Sequence, residues 1–234
     1  MYDRTHGESF LLGDREQPGG SRGFPSEPGP APGDDPDPRA DGRRNLNTND
    51  FADCLRAIRR EAVLWGDFTL SSGQKSPYYI DLRRLTLDGR HLACACRLLL
   101  ERASLLIELE YLDALGGPSL GADPLVAGCL IQLQTQGIDT AGFLVRSQGK
   151  EHGTGNRMEG LLRRGMLALI LEDVVTTGAS SVRVIEQIRE VGAIPVGVVC
   201  LLDRLQGGEK KIEEAGVSFR RVYTTEHLNL PVLA

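Results

Sequence analysis

The run Met166-Leu167-Ala168-Leu169-Ile170-Leu171 constrains the fold of this chain more than any other stretch. Six apolar residues in succession, with no polar residue at alternate positions, predict a strand covered on both faces. The carboxylates Glu172 and Asp173 follow, then Val174, Val175 and the turn Thr176-Thr177-Gly178-Ala179-Ser180. A helical pattern (Val182, Val184, Ile185, Ile188) comes next. The order is therefore strand, acidic pair, hydroxyl-rich turn, helix start. A helix start presents free backbone N–H groups and the positive end of the helix dipole, which makes it a seat for phosphate. Gly178 removes the Cβ that would block close approach, and Thr176, Thr177 and Ser180 add hydroxyl donors. Carboxylates just upstream suit a ligand with an anion at one end and hydroxyls or a metal in its middle, such as a ribose phosphate with magnesium.

The whole string resembles the phosphoribosyl-diphosphate signature of type I phosphoribosyltransferases: an apolar run, Glu-Asp, two aliphatics, Thr-Thr-Gly and a small hydroxylated tail. The resemblance implies an α/β fold with a mainly parallel central sheet flanked by helices. It also implies that 5-phosphoribosyl 1-diphosphate is held by Glu172, Asp173, Val174, Val175, Thr176, Thr177, Gly178, Ala179 and Ser180. In that reading the two acids take the ribose hydroxyls and the loop takes the 5′-phosphate.

The rest of the chain is consistent with one such domain. A length of 234 residues allows a single domain with an extension, and a 41% hydrophobic share suffices for a core. Residues 1–47 hold few large apolar side chains and much proline and glycine, as in Pro28-Gly29-Pro30 and Asp34-Asp35-Pro36-Asp37-Pro38. Such a segment buries too little apolar surface to offset the cost of ordering, so a disordered extension is expected there and a folded domain over 48–234. The net charge of -5 gives no general drive towards nucleic acid or an anionic membrane, so neither partner is expected. Anionic substrates must be held by locally placed cations and amides. No run reaches the roughly 18 apolar residues of a membrane span, and the start has no apolar signal region. Five scattered cysteines (Cys54, Cys94, Cys96, Cys129, Cys200) show no metal-ligand spacing. They predict reduced, mostly buried thiols in a cytoplasmic protein. Cys94 and Cys96, two apart on an expected helix, should point to different faces.

Along the chain, Asn49 or Asp50 is expected to cap a helix carrying Phe51, Leu55, Ile58 and Val63. Phe68-Thr69-Leu70 enters a turn-rich loop from Ser71 to Pro77, and Tyr78-Tyr79-Ile80-Asp81-Leu82 reads as a strand. Residues 88–106 are helical by periodicity. Tyr111-Leu112-Asp113-Ala114-Leu115 is expected to be the first core strand. It leads into Gly116-Gly117-Pro118-Ser119-Leu120-Gly121-Ala122, with Asp123 as N-cap and Pro124 at the first helical position. A helix (Leu125, Cys129, Ile131, Leu133) and a strand, 141–145, follow. The polar, glycine-rich run from Arg146 to Arg157 is too long for a tight hairpin. Pro195 to Leu202 reads as another buried strand ending at Asp203-Arg204, 217–223 as a last short strand and 228–233 as a terminal piece. Strand–helix alternation puts the loops that follow the strands at one edge of the sheet, where open α/β proteins bind ligands. An arginine at such a strand end can grip a carboxylate bidentately.

Several of these stretches resemble orotate phosphoribosyltransferases. The Phe68-Thr69-Leu70 step, its loop and the strand after it resemble the small N-terminal hood over the pyrimidine, and the loop from Gly116 resembles the one that contacts pyrophosphate. Arg146, Lys150, His152 and Gly153-Thr154-Gly155 resemble the mobile catalytic lid, which other phosphoribosyltransferases lack. The resemblance implies that Lys150, His152 and Asp173 are catalytic, that Arg146, Lys150 and His152 bind the diphosphate, and that Thr176 and Arg204 bind orotate, Arg204 through the carboxylate. It implies magnesium bound through substrate and water with no direct protein ligand, and a homodimer whose lids complete each other's sites. Ser71, Gly121 and Ser147 stand where some relatives carry lysine. The lid and Asp203-Arg204 argue against a purine-specific relative, and the negative charge and proline-rich extension argue against a nucleic-acid-binding regulator. The reading is transfer of phosphoribose to orotate, giving orotidine 5′-monophosphate and diphosphate in pyrimidine synthesis.

Overall fold

The computed structural model describes residues 48–69, 75–146 and 157–230, all within the unit Asp35–Ala234. The expected extension over 1–47, Ser71, Ser147, Lys150 and His152 lie outside the described residues.

The described chain opens with α1 (Thr48–Ala57), one π-helical turn (Ile58–Ala62) and an antiparallel hairpin of β1 (Val63–Thr69) and β2 (Lys75–Ile80). A short α2 (Arg83–Thr86) and a long α3 (Gly89–Ala103) follow. Asp88 caps α3, its side chain accepting from the N–H groups of Arg90 and His91. Then come β3 (Ala114–Pro118), α4 (Asp123–Thr135), β4 (Ala141–Val145), β5 (Met158–Gly160), β6 (Leu167–Val175), α5 (Ala179–Val191), β7 (Ile194–Asp203), α6 (Gly208–Glu214) and β8 (Phe219–Thr224). The main sheet has six strands in the order β5-β4-β3-β6-β7-β8. Every pairing is parallel except that of the edge strand β5 with β4. The expected α/β architecture is therefore present, with β6 central and both its faces covered.

Successive side chains of a strand face opposite sides, and β6 divides accordingly. Leu169 and Leu171 pack into the core that holds α1, α3 and α4, whereas Ala168 and Ile170 pack into the core that holds Val184, Ile185 and Ile188 of α5. In the helix α3, residues two apart point to different sides, so Cys94 and Cys96 make different contacts, as expected. Cys94 Sγ donates to the Asp50 carbonyl of α1, and Cys96 Sγ to the Leu125 carbonyl of α4.

Several expected boundaries are corrected. The first core strand begins at Ala114, not Tyr111; Leu109–Tyr111 is a 3-10 turn and Tyr111 is exposed. Val63 belongs to β1 rather than to the first helix, and that helix starts at Thr48. Asp50 does not cap it, because its carboxylate holds Arg97 bidentately at 2.6 and 2.8 Å. Asp123 is the first residue of α4 rather than its cap, and accepts from Ser119 Oγ at 2.9 Å. Ile131 of α4 is 66% exposed, while Leu125, Cys129 and Leu133 are buried. The acidic pair lies inside β6, not beyond it.

Two glycines let β3 carry the site. Gly117 has no room for a side chain: a Cβ would lie 2.1 Å from the Leu171 carbonyl oxygen and 2.7 Å from the Ala122 Cβ. The first neighbour is backbone of the central strand and cannot swing aside. Gly117→Ala is therefore expected to lower the unfolding free energy by about 1–3 kcal/mol, read from the denaturant midpoint. An unchanged midpoint would show that β3 can step away from β6 without cost.

Candidate active site

Because the parallel strands all run the same way, the carboxyl ends of β3, β4 and β6 meet at one edge of the sheet. A cleft of about 170 Å³ lies there. Its walls include Ser119 and Gly121 after β3, Arg146 after β4, Glu172 and Asp173 of β6, and Ser180 and Arg183 of α5.

The two acids reach this cleft from opposite faces of β6, because they are consecutive in a strand. Glu172 is 3% exposed and lies on the α5 side, where the hydroxyls of Ser180 and Ser181 both donate to its carboxylate. Burial pushes its carboxyl up to about 7 from 4.5, against the pull of those two hydroxyls. Asp173 lies on the other side, packed against Gly121, where a Cβ would stand 2.3 Å from its Oδ1. Burial raises its carboxyl too, opposed by the Val174 N–H that donates to it at 2.8 Å and by the charge of Arg83. Arg83 is itself held by Asp81, Nε to Oδ1 at 2.7 Å.

The raised Glu172 carboxyl carries a pH consequence. Between pH 4.5 and about 7 the folded, ligand-free chain keeps a proton that the unfolded chain releases. This stabilisation is complete below 4.5 and is lost as pH rises through about 7. Glu172→Gln removes the buried charge at nearly constant volume. Its stability relative to the parent is expected to rise from pH 5 to pH 8 by an amount on the order of 3 kcal/mol, measured by denaturant unfolding without ligand. A difference that stays flat across that range would mean Glu172 titrates as an ordinary carboxylate.

The loop behind the acids leads into an uncapped helix start, a geometry that suits an anion. Val175 is buried and its carbonyl accepts from Arg204 N–H at 2.9 Å; Thr176 is half-buried and Thr177 exposed. Gly178 is the N-cap of α5 with φ 74°, and no side chain caps that helix. A Cβ at Gly178 would lie 2.8 Å from the Gly208 carbonyl oxygen, so the start of α6 closes against this loop. Ala179 and Ser180 are the first residues of α5, where helical N–H groups have no intrahelical partner.

Arg146 stands at the cleft rim, with Nη2 3.5 Å from Glu159 Oε1. Its N–H donates to the Arg157 carbonyl at 2.9 Å, so residues 146 and 157 are tied together at the two ends of the segment that holds Lys150 and His152. Thr176 and Arg204 do not line this cleft. Arg204 follows β7, whose end pairs with that of β6 through Val175 and Asp203, so it sits at the same sheet edge one strand further along. Its Nε is buried with no hydrogen-bond partner. The neighbouring Asp203 is 1% exposed and fixes the turn: its Oδ1 accepts from Leu205 N–H at 2.9 Å and its Oδ2 from Arg221 at 2.6 Å.

Sequence reasoning did not single out Arg183 or Arg83. Arg183 was detectable in principle, because it lies three residues after Ser180 and so shares its helix face. Arg83 approaches Asp173 only through the tertiary fold. As for a metal, the described residues contain no group of three or more His, Cys, Asp or Glu able to hold one. Two hard carboxylates beside an anion seat do suit a magnesium ion that keeps its waters and is bound mainly through substrate oxygens.

No family model matches this chain. The orotate phosphoribosyltransferase of Streptomyces avermitilis is 41% identical over 177 residues, covering 75% of this chain and 95% of that protein. The orotate phosphoribosyltransferase of Corynebacterium glutamicum is 36% identical over 186 residues, covering 80% and 97%. Among solved structures, that of Mycobacterium tuberculosis orotate phosphoribosyltransferase in complex with 5-phospho-alpha-D-ribosyl 1-diphosphate superposes with a TM-score of 0.64 at 32% identity, covering 77% of this chain and 99% of that one.

Proposed function

This chain belongs to the orotate phosphoribosyltransferase family, and we propose that its sheet-edge cleft performs that family's reaction. It transfers the phosphoribosyl group of 5-phosphoribosyl 1-diphosphate to orotate, giving orotidine 5′-monophosphate and diphosphate, a step of pyrimidine synthesis. The observation that carries the site assignment is the meeting, in one cleft, of a buried acidic pair, an uncapped helix start and a cationic rim.

The physical demands of the transfer match those parts. Breaking the bond between the anomeric carbon and diphosphate leaves positive charge on the ribose ring and additional negative charge on the leaving group. Glu172 and Asp173 hold the ribose hydroxyls, and their field favours the ring cation. For Glu172 this requires its carboxylate to exchange serine hydroxyls for sugar hydroxyls. The residues 176–180 loop grips the 5′-phosphate, so that binding energy far from the reacting carbon orients it. Arg146, Lys150 and His152 offset the charge on departing diphosphate and exclude water that would hydrolyse the donor. Thr176 and Arg204 hold orotate. Magnesium, when bound, supplies Lewis-acid stabilisation of the diphosphate.

The active form is a homodimer in the cytoplasm, with residues 48–234 as the catalytic domain and 1–47 as an appended segment. No helix among the described residues is long and apolar enough to cross a membrane.

The direct test is an orotate-consumption assay with and without magnesium, with hypoxanthine, adenine and guanine as rival acceptors. Magnesium-dependent loss of orotate, with none of the purines consumed, is expected. Consumption of a purine in place of orotate would overturn the acceptor assignment. Full activity from a monomer at high dilution would overturn the dimer.

A further inference from the structure

The cysteines are all free and buried, and four of them meet in pairs across α3. Cys96 faces Cys129 of α4, whose Sγ lies 3.9 Å from the Cys96 carbonyl oxygen, and both are fully buried. Cys94 faces the turn of α1 that carries Cys54: its Sγ lies 3.1 Å from the Asp50 carbonyl oxygen, four residues before Cys54, and both cysteines line one cleft. Only this second pair reaches an opening. Cys54 is 0% exposed, Cys94 is 7% exposed, and both line an open cleft of about 330 Å³ where α1 faces α3. Arg56, Arg60, Arg90 and Arg97 stand on its walls. The sheet-edge cleft shares no lining residue with it.

The surroundings divide the labour between the two thiols. The neighbouring Cys94 and burial hold the Cys54 thiol up, while Cys54 brings the Cys94 thiol down from its ordinary value. Arg97 adds to the lowering at Cys94, while burial and Asp50 oppose it. The opposition from Asp50 is blunted, because its carboxylate is already held by Arg97 at 2.6 and 2.8 Å. The more accessible sulfur is thus the better nucleophile, and the inaccessible one is its protonated neighbour.

We propose that Cys94 and Cys54 form a reversible oxidation site for hydroperoxides, with Cys94 as the attacking sulfur and Cys54 as the resolving one. In the first step the Cys94 thiolate attacks a peroxide oxygen. The S–O bond forms, the O–O bond breaks, the sulfur loses two electrons, and the departing hydroxide or alkoxide takes a proton from solvent. In the second step Cys54 releases its proton and attacks the sulfenic sulfur of Cys94. The S–S bond forms, the S–O bond breaks, and water leaves with the Cys54 proton. The sum is two thiols and one hydroperoxide going to one disulfide, one alcohol or water, and one water. An external dithiol reverses it. The product ties α1 to α3 and removes the Cys94 contact to the Asp50 carbonyl, which is 3.1 Å in the reduced chain.

The test uses the full chain treated with hydrogen peroxide at stoichiometric and tenfold ratios, alkylated under denaturing conditions and mapped without reduction. One crosslinked peptide joining Cys54 to Cys94 is expected, with Cys96, Cys129 and Cys200 alkylated and the crosslink lost on adding dithiothreitol. Cys54→Ser should leave a sulfenic acid at Cys94 that a dimedone probe captures, whereas Cys94→Ser should leave Cys54 unoxidised. A crosslink between Cys96 and Cys129 instead, equal oxidation of all five cysteines, or no disulfide at either ratio would overturn the proposal. The reading comes from the unaltered chain, so it holds even if one variant folds poorly.

Discussion

Lys150→Ala is expected to lower kcat for orotidine 5′-monophosphate formation by about 10²–10³-fold, with the unfolding midpoint unchanged. One further negative charge builds on diphosphate as it departs, and a cation beside it does most of its work at that moment. An interaction of this kind falls on kcat rather than on KM, because it strengthens as the transition state forms. The midpoint should not move, because Lys150 belongs to a polar run, Gln148-Gly149-Lys150-Glu151-His152, with no apolar side chain to bury. Steady-state kinetics with both substrates varied, alongside thermal unfolding, give the two readings. A near-parental kcat would remove Lys150 from the chemistry and leave Arg146 at the cleft rim as the main cation.

Arg204→Ala should act on the other substrate. Hydrogen bonds to charged groups contribute about 1.5–3 kcal/mol each, so loss of a bidentate grip on the orotate carboxylate should raise the orotate KM by about 10–100-fold. The KM for 5-phosphoribosyl 1-diphosphate should change little. The structure makes this arginine a prepared donor. Its backbone is pinned to the Val175 carbonyl at 2.9 Å, the preceding Asp203 is locked by Arg221 and Leu205, and its Nε is buried without a partner. Arg204→Lys should recover little, because a point charge does not reproduce the planar fork. If the orotate KM is unchanged while the donor KM rises, Arg204 serves the phosphoribosyl side and the acceptor site lies elsewhere.

The parts of the site that sequence made legible are those written in consecutive residues. The apolar run from Met166 to Leu171 could be seen as a doubly covered strand because each of its residues is apolar, whatever it packs against. The turn from Thr176 to Ser180 could be seen as a glycine turn into a helix start because glycine, hydroxyls and the helical pattern are local features. The extent of β6 was not legible. The apolar run stops at Leu171, but the ladder to β7 continues through Val174 opposite Leu202 and Val175 opposite Asp203. Pairing with a distant strand, not composition, set where it ends. The carboxyl end of β3, which runs on through Gly116 and Gly117 to Pro118, was missed for a related reason. Gly116 and Gly117 are poor strand formers in isolation, and they are used here because neighbouring strands press too close for any side chain.

The sequence by itself determined which groups are available and their order: two carboxylates before a glycine turn and helix start, cations after one strand, an arginine after another, five thiols. Only the tertiary structure decided what each group meets. It carried the strand through the acidic pair, so that Glu172 turns to the hydroxyls of α5 and Asp173 to the opposite face. It brought Arg83 towards Asp173, put Arg183 on the cleft wall, and matched Cys94 with Cys54 rather than with Cys96. The physical reason is that a residue's chemistry is its own, while the side of a strand or helix it occupies acquires a neighbour only when a distant segment packs there.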